Sequence, residues 1–109
     1  MNWIDEVKVE LQRAEAAKGS GNSGKVRTSA RRAVGIALIE LQRRFPEKSY
    51  GRDIISQLQG FAGDASIPEE PRLAADRLQA RLSPQFESPS KNPIDDAKSI
   101  IRFVTERLT

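Results

Sequence analysis

The segment "GSGNSGKV", residues 19–26, contains the residue types that bind phosphate in nucleotide-binding loops. In such a loop a pair of glycines is followed by a lysine and then by a Ser or Thr whose hydroxyl binds magnesium. The glycines and Lys25 fit this pattern, but Val26 stands where the hydroxyl should be. The residues before the segment have helical spacing, whereas a true phosphate-binding loop follows a strand. We therefore predict a turn between two helices, with Asn22 or Ser23 capping the second.

A run of basic residues follows this turn, and no Asp or Glu occurs between Glu15 and Glu40. We call its candidate binding residues the basic patch: Lys25, Arg27, Arg31 and Arg32. Guanidinium groups bind phosphates and carboxylates through paired hydrogen bonds, so the patch favours an anionic ligand or partner. Helical spacing places Arg27 and Arg31 on one flank and Arg32 on another. The alternative interpretation is a solvated flank that binds nothing.

The sequence contains neither histidine nor cysteine. This composition excludes an imidazole base, a thiolate nucleophile, a disulfide and a zinc site built from sulfur or imidazole. We expect Glu40 to pair with Arg43 or Arg44 rather than to act as a general acid or base. The sequence therefore predicts a protein that is not an enzyme, with no cofactor and no bound metal.

The length of 109 residues is that of one domain, and we predict a single domain over residues 1–109. No apolar run approaches the roughly 20 residues that a membrane-spanning helix needs. The first residues, "MNWIDEVKVE", are acidic where a secretion signal has a basic region followed by an apolar one. We expect a cytoplasmic protein without a membrane partner.

Apolar residues recur at helical spacing in five segments, and no segment alternates as a strand does. The segments cover about residues 2–18, 24–44, 50–61, 68–82 and 93–109. Asn92 is suited to cap the last one, with Pro93 at its first position. The pattern predicts an all-α fold, an antiparallel up-and-down four-helix bundle with the segment at 50–61 as an additional short helix.

Two apolar residues lie away from the stripes assigned to the core, Ile39 on the central helix and Phe103 on the last helix. A helix that is apolar on two sides has a second packing surface. We predict that these two residues belong to a homodimer interface. The alternative is that the short helix packs over them.

The run "GSGNSGKVRTSARRAVGIALIEL", followed after a variable middle by "NPIDDAKSIIRFVTERL", resembles the HEPN superfamily of small prokaryotic helical bundles. The resemblance spans most of the chain. It implies a bundle that usually dimerises, often works beside a minimal nucleotidyltransferase and in several branches cleaves RNA. The ribonuclease branches carry an Arg and a His near the start of the last helix. Here "SPSKNPIDDAK" offers only Lys91 as a cation before that helix, so no catalytic residue is assigned.

These observations predict a non-catalytic, HEPN-like binding or accessory module that is dimeric and that partners a nucleotidyltransferase or binds a nucleotide-containing ligand. The alternative is direct nucleic-acid binding by the basic patch. We rank it second because the aromatic residues Trp3 and Phe45 lie at the far ends of their helices from the loop, where they cannot stack on bases near the patch.

Overall fold

The computed structural model describes residues 2–80 and 89–109, and these residues form five α-helices and no β-strand. In chain order the helices are α1 (Trp3–Gly19), α2 (Ser23–Arg44), α3 (Ile54–Ala62), α4 (Glu69–Gln79) and α5 (Pro93–Leu108). A single turn of 3-10 helix, Pro46–Lys48, follows α2. The all-α prediction is confirmed. The sequence predicts a fourth helix that runs to residue 82, but α4 ends at Gln79 and Ala80 has extended backbone angles. Residues 81 and 82 lie outside the described residues.

Asparagine residues cap the starts of α2 and α5, as the sequence predicted. The side chain of Asn22 accepts a hydrogen bond from the Lys25 amide at 3.1 Å, and the side chain of Asn92 accepts one from the Asp95 amide at 3.2 Å. Each bond satisfies an amide that the first helical turn leaves without a partner. Between α1 and α2, Gly21 takes a φ of 74°, which glycine adopts at little cost. The segment at 19–26 is therefore a helix–helix turn.

The helix α2 is the central element of the packing. It lies against α1 on one side and against α5 on the other, α5 also packs on α4, and α4 packs on α3. The fully buried alanines of α2, Ala30, Ala33 and Ala37, let these neighbours approach closely. The core is completed by the largest fully buried apolar side chains of the other helices, Leu58, Phe61, Leu78 and Ile100. In a four-helix ring α1 and α5 would be broad neighbours, but here their contact is slight.

The turn between α3 and α4 is held by the carboxylate of Asp64. It accepts hydrogen bonds from the Tyr50 hydroxyl at 2.5 Å and from the Ser66 hydroxyl at 2.6 Å, and the Lys48 ammonium lies 2.9 Å away. Burial by itself raises the pKa of Asp64, but the hydrogen bonds from Ser66, Tyr50 and Lys48 outweigh it and hold that pKa well below its usual range. This carboxylate thus joins the chain after α2 to the turn between α3 and α4.

We predict that Asp64→Asn lowers the free energy of unfolding by about 1–3 kcal/mol near neutral pH, because charged hydrogen bonds are lost. The pKa of Asp64 is depressed in the folded state, so its stabilisation is complete above the unfolded value near 4 and is lost as the pH falls below it. The difference between wild type and variant should therefore shrink below about pH 4. Urea unfolding between pH 2 and pH 7 measures it.

The exposed Asp76 provides the matched control, since Asp76→Asn should change the stability by no more than about 0.5 kcal/mol. A difference for Asp64→Asn that stays constant down to pH 2 would contradict the role of its charge.

Candidate functional site

The structure divides the basic patch among different surroundings. Lys25 is exposed in the first turn of α2, and Arg27, two residues further on, is partly buried. Arg31 reaches toward α4, whereas Arg32 is exposed on another flank, in a groove that also contains Ile39. The predicted separation of Arg27 and Arg31 from Arg32 is therefore confirmed. The four residues do not form one continuous surface.

Arg31 closes the C-terminal end of α4. Its Nε donates to the carbonyl oxygen of Leu78 at 2.7 Å, and its Nη2 donates to that of Ala80 at 3.4 Å. The last carbonyls of a helix have no partner within the helix, so a guanidinium there satisfies them and complements the helix dipole. Burial lowers the pKa of Arg31, and the nearby charge of Arg27 lowers it further. Arg31 is thus engaged in the fold, and its main hydrogen-bonding direction is toward α4.

We predict that Arg31→Ala lowers the free energy of unfolding by about 1–3 kcal/mol, because two carbonyls at the end of α4 lose a charged donor. Arg31→Lys should recover only part of this loss, since an ammonium cannot reproduce the planar fork. Urea unfolding is the measurement.

Arg32→Ala on the same helix is the control, and we expect a change within about 0.5 kcal/mol because Arg32 is exposed. Equal effects of the two alanine variants would show that Arg31 has no special structural role.

A cavity of about 510 Å³ opens where the end of α1, the start of α2 and the start of α5 meet. Three cations line it, Lys18 from α1, Arg27 from α2 and Lys91 from the segment before α5. We call it the basic cavity. Its apolar lining includes Val26 and Ile94, which belong to a small hydrophobic cluster apart from the main core. The described lining residues include no Asp or Glu.

A buried polar network holds the segment that carries Lys91. Ser90 is 3% exposed, and its hydroxyl donates to the carboxylate of Asp96 at 2.5 Å. Arg77 on α4 binds the same carboxylate, with Nη2 at 2.7 Å from Oδ1 and Nε at 3.2 Å from Oδ2. The hydrogen bond to Asp96 raises the pKa of Arg77. Asp96 thereby links α4, α5 and the segment that borders the basic cavity.

A second, more open groove of about 530 Å³ lies between α1, α2 and α3. We call it the Ile39 groove, because Ile39 is 56% exposed there. Its other apolar residues are Val9, Ile36 and Ile54. Its charged residues are of both signs, Glu6, Glu10, Arg13, Arg32 and Arg52. The groove therefore combines an exposed apolar side chain with charged residues of both signs.

Phe103 does not share this exposed surface, and the prediction that it projects away from the core is wrong. Its ring packs edge to face against Phe61 of α3, with 5.8 Å between the ring centroids and 74° between the ring planes. Edge-to-face packing is a favoured arrangement of aromatic rings. The short helix α3 thus covers Phe103, as the alternative interpretation held, and leaves Ile39 exposed.

The carboxylate of Glu40 is engaged in ion pairs, as the sequence predicted. Arg43 Nη2 lies 2.6 Å from Glu40 Oε1, and Arg44 Nε lies 3.0 Å from the same oxygen. The hydrogen bond from Arg43 is the main cause that lowers the pKa of Glu40, and Arg44 adds to it against the opposing effect of burial. A carboxylate held in its ionised form in this way is poorly suited to donate a proton near neutral pH.

Comparison with protein-family models, with curated proteins and with solved structures finds no match to this chain. Within residues 2–80 and 89–109, no group of three or more carboxylates is placed to hold a metal ion. No helix in that part of the chain has the length and apolar character needed to cross a membrane.

Sequence reasoning singled out Arg27 but missed its grouping with Lys18 and Lys91. These three residues are far apart in the chain, and only the tertiary packing of α1, α2 and α5 places them around one cavity. The sequence contains only a weak indication of this grouping. Lys91 is the only cation in the segment just before the last helix, and Lys18 lies just before the predicted turn between the first two helices.

Proposed function

We propose that this protein is a homodimeric, non-catalytic binding or accessory module. The observation that carries the proposal is the Ile39 groove, in which a large apolar side chain is 56% exposed among charged residues of both signs. Exposed apolar surface with a polar rim is the usual anatomy of a protein–protein interface. The lack of histidine and cysteine in the sequence favours binding over catalysis.

The charges of the groove favour a second copy of this chain as the occupant. The groove carries an exposed acidic residue on α1, Glu6, and basic residues on α2 and before α3, Arg32 and Arg52. Its other carboxylate, Glu10, is 6% exposed and already paired with Arg13. A two-fold symmetric interface brings the same patch of each subunit together, so a patch with both signs can pair its acidic side with the basic side of the other copy. The apolar centres would then be buried together.

The resemblance to HEPN proteins supports the rest of the proposal. In that superfamily, small helical bundles dimerise and often accompany a minimal nucleotidyltransferase. We infer an accessory role of this kind, with a nucleotidyltransferase partner or a nucleotide-containing ligand, in the cytoplasm. We infer the up-and-down topology of our prediction from the antiparallel hairpin of α1 and α2, with the ring left open between α1 and α5, where the contact is slight. Pull-down from a native lysate, with and without nuclease, tests the partner: a nucleotidyltransferase retained in both arms supports it.

We predict that Ile39→Glu converts the dimer to a monomer, because it places a charge in an apolar contact. The helical circular dichroism should persist, since residue 39 is exposed within the subunit. Light scattering coupled to size exclusion measures the mass.

The matched control is Leu73→Glu, which changes the other large exposed apolar residue, 47% exposed on α4. The Leu73→Glu variant should remain dimeric. A wild type that is monomeric at high micromolar concentration would contradict the dimer proposal. If both variants are monomeric, the result would argue against the Ile39 groove as the interface.

Direct nucleic-acid binding by the basic patch is the second candidate, favoured by the exposure of Lys25 beside the partly exposed Arg27. Each phosphate contact contributes about −0.7 to −0.9 to the slope of log affinity against log salt. With Arg31 held by α4 and Arg32 on another flank, two contacts remain, and we expect a slope of about −1.5 and weak binding at physiological salt.

Fluorescence anisotropy with single-stranded RNA and duplex DNA at several salt concentrations measures this slope, with Arg27→Ala beside wild type. Submicromolar binding with a slope near −3, the value for four contacts, would make nucleic acid the primary ligand.

A further inference from the structure

We infer that the basic cavity binds a small phosphate ester of about the size of one nucleotide, with its phosphate between Lys18, Arg27 and Lys91. This inference rests on the ligand-binding part of the proposed function and does not require the dimer. Of the three cations only Arg27 belongs to the basic patch, since Lys18 comes from α1 and Lys91 from the segment before α5.

The charged residues that line the basic cavity are cations, and the carboxylates of Asp95 and Asp96 lie behind this lining, hydrogen-bonded to Asn92 and Ser90. Among the described residues, none that lines the cavity is acidic. The ion pairs formed within the described part of the chain use other cations, namely Arg13, Arg43, Arg44, Lys48 and Arg77. Like charges directed to one space repel each other, and the repulsion is relieved when an anion enters. The Ile39 groove differs, because its cations lie beside Glu6 and Glu10.

The polar groups around the cations also suit an anion. The first residue of α2, Ser23, and the cap of α5, Asn92, both line the basic cavity. The N-terminal ends of two helices therefore border the same space. The end of α5 already carries Asp95 and Asp96, and Asn92 Nδ2 donates to Asp95, so the start of α2 is the end whose partial positive charge favours a further negative group. This effect adds to that of the three cations, which supply most of the attraction.

The apolar lining and the volume indicate what the phosphate is attached to. Pro93, with the small exposed edges of Val26 and Ile94, which are 7% and 2% exposed, gives the cavity a narrow apolar wall beside its cations. A volume of about 510 Å³ falls in the range of small-molecule sites, which combine apolar walls with a few placed polar groups. A free inorganic ion would leave this wall without contact. A nucleoside monophosphate has a phosphate for the cations and a flat ring for the wall.

The site is held in place before a ligand arrives. The hydrogen bonds from Ser90 and Arg77 to Asp96 fix the segment just before Lys91. The cap by Asn22 fixes the start of α2, and with it Ser23 and the turn that follows Lys18. A ligand therefore has little backbone to order when it binds, which preserves its affinity.

The test is a titration of the full chain at low salt with AMP, followed by amide chemical shifts in two-dimensional NMR. Adenosine, which lacks the phosphate, and inorganic phosphate, which lacks the apolar part, are the matched probes. We expect AMP to shift the amides of residues 23–27 and 91–95 and to bind about tenfold or more tighter than either probe, since charge-assisted hydrogen bonds and the apolar wall each contribute.

Two variants remove the cations, Arg27→Ala and the double variant Lys18→Ala/Lys91→Ala. Each variant should weaken AMP binding about tenfold or more. The control variants Lys8→Ala and Lys98→Ala remove exposed lysines outside the cavity and should leave AMP binding unchanged. Circular dichroism confirms that each variant is folded.

Three results would overturn the inference: no shift with AMP, equal affinity for adenosine and AMP, or AMP binding that the cavity variants leave intact. A ten-nucleotide single-stranded RNA that binds far tighter than AMP, with a steep salt slope, would overturn the assignment to a small ester. Light scattering on the same samples keeps the two proposals apart, because a monomer that binds AMP contradicts only the dimer, and a dimer that does not bind AMP contradicts only the site.

Discussion

The burial of α2 on two sides is the constraint on which the rest of the structure depends. Its alanines Ala30, Ala33 and Ala37 are fully buried, so α1 and α5 can both lie close to it. Gly35 extends this close packing to α3, because a Cβ atom there would lie 3.2 Å from the Ile54 side chain. A helix packed on several sides keeps only narrow strips of surface. Each charged residue of α2 must lie on one of these strips or find a partner on a neighbouring helix.

The fate of the charges on α2 follows from this geometry. Arg31 lies over the end of α4 and satisfies its carbonyls, and Glu40, 8% exposed, lies between Arg43 and Arg44. Arg27 and Arg32 lie on the strips left open and face different spaces, the basic cavity and the Ile39 groove. Cations that are close together in the sequence therefore have different roles in the structure. Arg31 makes a structural contact, and Arg27 and Arg32 belong to two separate candidate surfaces.

Local rules predicted the elements of the fold well. Helical periodicity located the five helices, and the preference of Asn for N-caps predicted the starts of α2 and α5 to within a residue. These features depend on residues within a turn of each other. The partners of Arg31 and Phe103 could not be predicted in the same way, since Leu78 and Phe61 are distant in the chain and reach them only through the packing of α3, α4 and α5. The periodicity of α5 alone places Phe103 outside its core stripe, and only the position of α3 brings it inside.

The two candidate surfaces use the same helices without sharing a residue. The basic cavity takes the end of α1 and the start of α2, and the Ile39 groove takes the first half of α1 and the middle of α2. Because the two helices are antiparallel, a ligand at one surface and a second subunit at the other do not compete for space. They are connected through the buried contact between α1 and α2, so any change in the spacing of these helices alters both surfaces. A ligand that bridges Lys18 on α1 and Arg27 on α2 would hold this spacing fixed, and by thermodynamic linkage a dimer that prefers the same spacing would bind the ligand more tightly.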